Sequence, residues 1–371
     1  MNRLPISRRN ALAFLSAGLA AGLPGRSFAA TRLSLTEAQL QAGVEFLGRH
    51  PSVDVHAHPG RFFLRDIPPT DTSEKLGGPA EAQVLADMAA GKITAALFAC
   101  VSDATLLGFT PAGGLAPVRE FRPGEAWAEY QRQIGLLKAM AARGDVASGL
   151  TVGDIARALK ARKTAAVFAV EGGDFIEDRM DRVQQAHADG VRAITIVHYH
   201  PNQIGDPQTG TPRTPGLTPI GRRIVKEMNR AGIVVDLAHA SYGVTKDAVA
   251  VSERPMMISH TNLKRADLDH PRLVSVEHAR LVTRHGGLVG SVPSGIGQAT
   301  VGDWIASILR LIDAVGVDHV AIGTDMDANY RPVFTDYRDW GVIPAALLAR
   351  GLSEAETAKV MGGNFLRIFP A

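Results

Sequence analysis

The residues to read first are histidines and carboxylates standing where an ion or a proton could use them. His56 and His58 lie two apart at the end of the apolar run Val53–His58. In an extended strand that spacing sends both imidazoles to one side, within reach of one ion. Five further runs end in a group of the same kind: Glu171 after Ala165–Glu171, His198 after Ala193–His198, His239 after Ile233–His239, His260 after Met256–His260 and Asp325 after Val320–Asp325. One histidine at a strand end is usually structural, but six chemically competent ends in one chain point to a shared site. Glu171 has two oxygens and can bridge two cations, with His56, His58 and Asp325 around the first and His239 and His260 around the second. Such a binuclear centre leaves room for water. Its nitrogen and oxygen donors suit two divalent ions, zinc first, with manganese, cobalt and iron as alternatives.

The elements that must position these groups follow from the hydrophobic pattern. With Thr94–Val101 and Gly287–Pro293 added, eight buried-strand runs alternate with longer amphipathic stretches, which predicts a parallel sheet with helical crossovers. Helices are expected at Thr36–Leu47, Glu125–Ala142, Arg179–Asp189, Pro219–Ala231, Val276–Arg284 and Thr300–Val315. Gly190, Gly232, Gly286 and Gly316 act as stops, and Ser353 with Glu356 offers a capping box. Because no glycine-rich phosphate fingerprint follows the first strand, the α/β class expected is a closed (β/α)8 TIM barrel rather than an open doubly wound sheet. The long connections at Pro59–Gly78, Ser102–Gly124, Pro201–Gly216 and Met326–Gly341 each follow a strand, so a barrel gathers them on one face to shape a pocket. No internal repeat or linker divides residues 30–371, which read as a single barrel domain.

Composition narrows the partners. Hydrophobic residues make up 46% and charged residues 21%, which excludes a disordered chain. A single cysteine, Cys100, excludes a disulfide framework and any cysteine-based metal site. The net charge of +3 suggests nucleic acid until its origin is traced to Arg3, Arg8, Arg9 and Arg26, which stand in residues 1–29 without an acidic residue. The remainder is close to neutral, so no nucleic acid partner is expected. Ser7-Arg8-Arg9-Asn10, the apolar stretch Ala11–Leu23 and small residues at Ser27 and Ala29 resemble a twin-arginine (Tat) signal peptide. The reading is export through the Tat machinery and cleavage near Ala29, giving a periplasmic or extracellular protein with no transmembrane segment in the mature chain.

Several motifs in order carry a family resemblance: Glu171-Gly172-Gly173, Gly190-Val191-Arg192 leading to Ile194-Thr195-Ile196-Val197-His198, Asp236-Leu237-Ala238-His239, Ser259-His260-Thr261-Asn262, Gly323-Thr324-Asp325-Met326-Asp327 and Gly362-Gly363-Asn364-Phe365-Leu366-Arg367. From about Val53 to Phe369 the chain resembles the membrane dipeptidase (renal dipeptidase) family of the amidohydrolase superfamily. That resemblance implies two zinc ions bridged by a glutamate and by a water or hydroxide, and hydrolysis of dipeptides, often with a D-residue at the C-terminal side. Position by position, His56 matches a ligand of the first zinc, Glu171 the bridge, and His239 and His260 ligands of the second. Asp325 matches the aspartate that handles the proton, His198 the histidine that steadies the oxyanion, and Arg272 the arginine that holds the substrate carboxylate.

One position departs from the pattern. The family has His-x-Asp after the first strand, whereas this chain has His58 where the aspartate is expected, which makes the site one unit more positive. Dipeptide hydrolysis is therefore weighed against another exported amidohydrolase activity, on an N-acyl amino acid, a lactam or lactone, or a phosphoester, and against a non-catalytic metal-binding barrel. A homodimer is compatible with the sequence. Of the remaining polar groups, His200 reads as a loop residue, Asp54 as a strand cap or an orienting group, and Asp327 as a neighbour of Asp325. Asp174, Asp206 and Cys100 read as structural.

Overall fold

The computed structural model describes residues 33–67, 70–110 and 114–371; the proposed signal peptide, residues 1–29, lies outside them. Eight strands form a ring: β1 (Val53–Ala57), β2 (Ala95–Val101), β3 (Ala165–Glu171), β4 (Val191–Thr195), β5 (Val234–Asp236), β6 (Met257–Thr261), β7 (Leu288–Ser291) and β8 (Val320–Ile322). Each pairs in parallel with the next, and β8 returns to β1 through Ile322 and Asp54, so the sheet closes. This is the expected (β/α)8 barrel.

Every strand is followed by a helix, in order Glu81–Ala90, Glu125–Ala142, Asp181–Ala188, Pro219–Ala231, Tyr242–Val251, Val276–Arg284, Val301–Val315 and Val342–Ala349. Local chemistry explains their starts. Thr300 accepts from the Asp303 amide while Asp303 reaches back to the Thr300 amide, and Ser353 with Glu356 does the same. Glu81–Ala90, Tyr242–Val251 and Val342–Ala349 were not singled out in the sequence; the last is so apolar that it carries no amphipathic stripe to read.

The barrel interior is filled by alternate strand residues, among them Val53, Val55, Leu97, Ala99, Val167 and Met257, and Phe365 and Phe369 from the C-terminal segment join this cluster. The intervening residues Phe98, Cys100, Phe168 and Val170 belong to the larger cluster packed under the helices. Small residues let the strands approach closely: a Cβ on Gly290 would stand 1.8 Å from the Ser259 carbonyl oxygen, and one on Gly323 would stand 2.0 Å from it.

Two departures from regular pairing adjoin the histidines. The β1–β2 register shifts between Asp54 and Ala57, and the β6–β7 register shifts between Val289 and Ser291, opposite His260. A regular strand would send Val55 and His56 to opposite faces. Here Val55 joins the interior cluster while His56 still turns toward the barrel axis, which is what a local bulge accomplishes beside a functional site. Strands β4, β5 and β8 also stop three residues short of the expected ends, at Thr195, Asp236 and Ile322. His198, His239 and Asp325 therefore arrive from the turns beyond. His239 and Asp325 hold φ of +64° and +53°, a left-handed conformation that costs an L-residue free energy and is concentrated at functional sites.

Candidate metal centre

Glu171, the last residue of β3, is almost fully buried at the centre of the C-terminal rim. Its Oε1 lies 3.3 Å from His56 Nε2, 3.2 Å from His239 Nε2 and 3.4 Å from His260 Nε2. Its Oε2 lies 3.4 Å from His58 Nε2 and 3.4 Å from His198 Nε2. His58 Nε2 is in turn 3.3 Å from Asp325 Oδ1. Imidazole nitrogens also face one another, His56 and His58 at 3.2 Å and His239 and His260 at 3.0 Å. All seven groups singled out on strand ends therefore converge.

These contacts have the wrong pattern for a hydrogen-bond network. Glu171 Oε1 and His239 Nδ1 are buried with no hydrogen-bond partner, although an unpaired buried polar atom costs about 1–3 kcal/mol. Donors bound at about 2.0–2.1 Å to one tetrahedral cation are held roughly 3.3 Å apart, which is the spacing found here. Three overlapping sets can each hold a cation: His56, His58 and Glu171; Glu171, His239 and His260; and His56, His260 and Asp325. The donor chemistry fits divalent metal ions.

Electrostatics agree. Burial by itself raises the Glu171 pKa, but the positive charge of His198 and His56, with the Nε2 atoms of His239 and His56 close to its carboxylate, holds it well below the usual carboxylate range. Burial pushes His58 down, yet Asp325 and Glu171 outweigh it and carry it up to about 10, so this corner favours positive charge. Burial holds His239 and His260 well below the ordinary imidazole value, aided by Arg272 and His198 at the first and by His56 at the second. Burial thus favours the neutral ring at these two positions, the form in which imidazole binds a metal ion.

The supporting layer contains residues that strand-end counting missed. His58 Nδ1 faces the Ala99 carbonyl oxygen at 2.8 Å, which leaves the Nε2 lone pair pointing at the cluster. Ser259 Oγ lies 2.8 Å from His260 Nδ1 and donates to Asp236 at 2.6 Å; Asp236 also accepts from Thr195 Oγ1 and from the Ser259 amide. Asp103, fully buried just beyond β2, accepts from His198 Nδ1 at 2.6 Å and from the amides of Tyr199 and His200. Asp236 could have been noticed three residues before His239. Asp103 carries no such spacing signal, since β2 itself ends in Val101.

The remaining candidates separate cleanly. Asp54 accepts from the Thr324 amide and hydroxyl and from Tyr337, so it ties β1 to the turn carrying Asp325. His200 turns away to Asp174 at 2.7 Å and Glu120 at 2.8 Å, outside the cluster. Asp327 tethers the turn after β1 through the Gly60 amide and Arg61. Arg272 sits beside the histidines, its charge acting on His198, His239 and His260, and its Nη1 is buried without a partner.

A ring of histidines and carboxylates at the C-terminal mouth of a closed parallel barrel defines a metal-binding (β/α)8 protein of hydrolase type. Residues 41–371 match the model of the membrane dipeptidase family, Peptidase family M19, and the chain belongs to that family. It is 30% identical over 224 residues to dipeptidase tcpJ of Claviceps purpurea (strain 20.1), covering 58% of this chain and 52% of the relative. It is 28% identical over 246 residues to dipeptidase verJ of Clonostachys rogersoniana, covering 64% of this chain and 63% of the relative. The chain thus spans between half and two thirds of the length of these curated relatives. In fold it is similar to a metallopeptidase from Rhodobacter sphaeroides, solved with a phosphinate mimic of the dipeptide L-Ala-D-Ala, with a TM-score of 0.70, 22% identity and coverage of 86% and 98% of the two chains.

Proposed function

We propose that this protein is an exported dipeptidase that works with two zinc ions. The observation that carries the reading is the two-sided environment of Glu171, Oε1 toward His56, His239 and His260 and Oε2 toward His58 and His198. In this reading His56, His58, Glu171 and Asp325 would hold one ion, and Glu171, His239 and His260 would hold the other. Family membership, the dipeptidase relatives and the dipeptide mimic bound to the Rhodobacter sphaeroides protein support a dipeptide substrate.

When bound, the two cations lower the pKa of a water molecule toward neutrality and polarise the scissile carbonyl. The chain's own groups do the rest. Asp325, exposed for 19% of its side chain, is the open edge of the cluster, placed to take a proton from the attacking water and return it to the departing amine. His198 steadies the oxyanion from Nε2. Its Nδ1 hydrogen is committed to Asp103, so Nε2 donates when the ring is an imidazolium; burial opposes that state, and the charges of Asp103 and Glu171 restore it, raising the pKa. Arg272 receives the substrate carboxylate, the partner its buried Nη1 lacks.

The test is hydrolysis of dipeptides of both chiralities by mature, metal-loaded protein, with metal content measured and activity abolished by a chelator. His58 favours keeping a second hydrolytic reading in the same assay. An imidazole in place of the family aspartate leaves the centre one unit more positive, so N-acyl amino acids, lactams, lactones and phosphoesters belong in the panel. Turnover of those alone would replace the dipeptide reading. For residues 1–29 the proposal is a Tat signal, checked by the N-terminus of periplasmic protein. No helix among the described residues is long and apolar enough to cross a membrane.

A further inference from the structure

His200 stands outside the metal cluster, yet its hydrogen bonds join three connections of the rim. The residue is buried, with its ring between two carboxylates: Nδ1 lies 2.7 Å from Asp174 Oδ1, in the turn after β3, and Nε2 lies 2.8 Å from Glu120 Oε2, in the long connection after β2. Carboxylates only accept, so a ring that satisfies both carries a proton on each nitrogen. Burial by itself lowers the His200 pKa, but Asp174 and Glu120 outweigh it and carry it up to about 9. Phe121 packs edge-on against the ring, with centroids 5.1 Å apart. Arg119 secures this end of the connection, donating to Glu125 at the start of helix Glu125–Ala142 and to the Glu120 carbonyl oxygen at 3.0 Å. The backbone of His200 makes the third tie, its amide donating to Asp103 Oδ2 at 3.0 Å. Asp103 thus divides its oxygens, Oδ1 for the His198 ring and Oδ2 for the amides of Tyr199 and His200.

We propose that His200 is a positioning residue for catalysis: as an imidazolium clasped between Asp174 and Glu120, it locks the turn after β4 so that Asp103 keeps the orientation in which it holds His198. This rests on the dipeptidase reading and deepens it by tracing the placement of the oxyanion histidine to an ionic clasp across three connections. His200 touches no substrate in this account; it acts through its own amide and the Asp103 carboxylate. A neutral side chain in its place leaves Asp174 a buried carboxylate without a counter-charge, and the turn must shift to relieve it. Arginine at the same position offers N–H donors to both carboxylates and keeps its charge, whereas glutamine is neutral and presents a single donor group. Glu120, with 88% of its side chain exposed, is the weaker arm of the clasp, since an exposed ion pair contributes little.

The experiment compares zinc-loaded parent, His200→Gln, His200→Arg and Glu120→Gln in dipeptide hydrolysis, with metal content measured in each. His200→Gln is expected to lower kcat about tenfold with KM and metal content held, and His200→Arg to recover kcat to within about threefold of the parent. Glu120→Gln is expected to lower kcat about two- to fivefold. A His200→Gln variant as active as the parent, an arginine variant no better than the glutamine one, or metal lost together with kcat overturns the proposal. Should His200→Gln fail to fold, Glu120→Gln at its exposed site decides, and parent-like kcat there overturns the clasp. A second readout does not depend on turnover. In 15N-histidine NMR of the zinc-loaded parent at pH 7, His200 should carry protons on both ring nitrogens, and the His198 ring signals should move in His200→Gln and return in His200→Arg. Unmoved His198 signals sink the clasp whatever the substrate, while a parent that cleaves no dipeptide but shows these shifts sinks the dipeptidase reading alone.

Discussion

At the scale of single residues, the centre separates groups that would hold cations from groups that would act on substrate, and the two kinds fail differently. His239→Ala removes a donor from the set it shares with Glu171 and His260, so the metal content of purified protein should fall from two ions toward one. His198→Ala removes no member of those sets. Both ions should remain while kcat drops about a hundredfold, roughly 3 kcal/mol of transition-state stabilisation; a variant as active as the parent would refute the oxyanion role. Asp103 acts through His198, which it contacts at 2.6 Å. Asp103→Asn should therefore lower kcat about tenfold or more with KM and metal content little altered. Loss of metal in that variant would instead make Asp103 a structural support of the rim.

At the scale of elements, the chemistry depends on how strands hand over to turns. Gly172 follows Glu171 at φ +96°, and a Cβ there would stand 2.8 Å from Asp174 Oδ2 and 3.0 Å from Ser102 Cβ. Gly172→Ala should destabilise the protein by about 1–3 kcal/mol and weaken metal binding, read by thermal unfolding with and without metal. A helix supplies a separate check. His278, on Val276–Arg284, is buried with Nε2 2.8 Å from Thr245 Oγ1, and burial, with Lys264 adding to it, lowers its pKa to about 4. A depressed imidazole contributes stability that is whole above about pH 6.5, its ordinary value, and lost as pH falls toward 4. His278→Gln should flatten the parent's loss of stability between those values by about 3 kcal/mol, measured by denaturant unfolding across the series. Parallel curves for the two proteins would show that His278 is not the group titrating.

At the scale of the whole molecule, folding gathers seven ionisable groups from six strand ends into one buried cluster, and metal should stabilise the native barrel far more than the unfolded chain. Zinc at about a thousandfold over its dissociation constant adds about 4 kcal/mol by mass action, so calorimetry should show a melting temperature that rises with zinc and falls after chelation. An unchanged melting temperature would remove the metal centre from the proposal. Much of this was legible in the chain. Eight buried runs separated by helical stretches are a local signal, and the closed barrel and the gathering of seven groups at one mouth follow from parallel closure. Less visible were the short ends of β4, β5 and β8, because apolar residues such as Ile196, Val197 and Leu237 continue a strand-like pattern into the turns. Asp103 was invisible for a different reason: its partners His198, Tyr199 and His200 lie beyond another strand, and no spacing along the chain encodes a contact across a barrel. Residue type and periodicity alone determined which groups could bind and which strands would carry them. Tertiary structure alone decided which nitrogen faces inward, which carboxylate holds it there and which donors are left waiting, because those depend on register shifts, left-handed turns and burial that exist only once the sheet has closed.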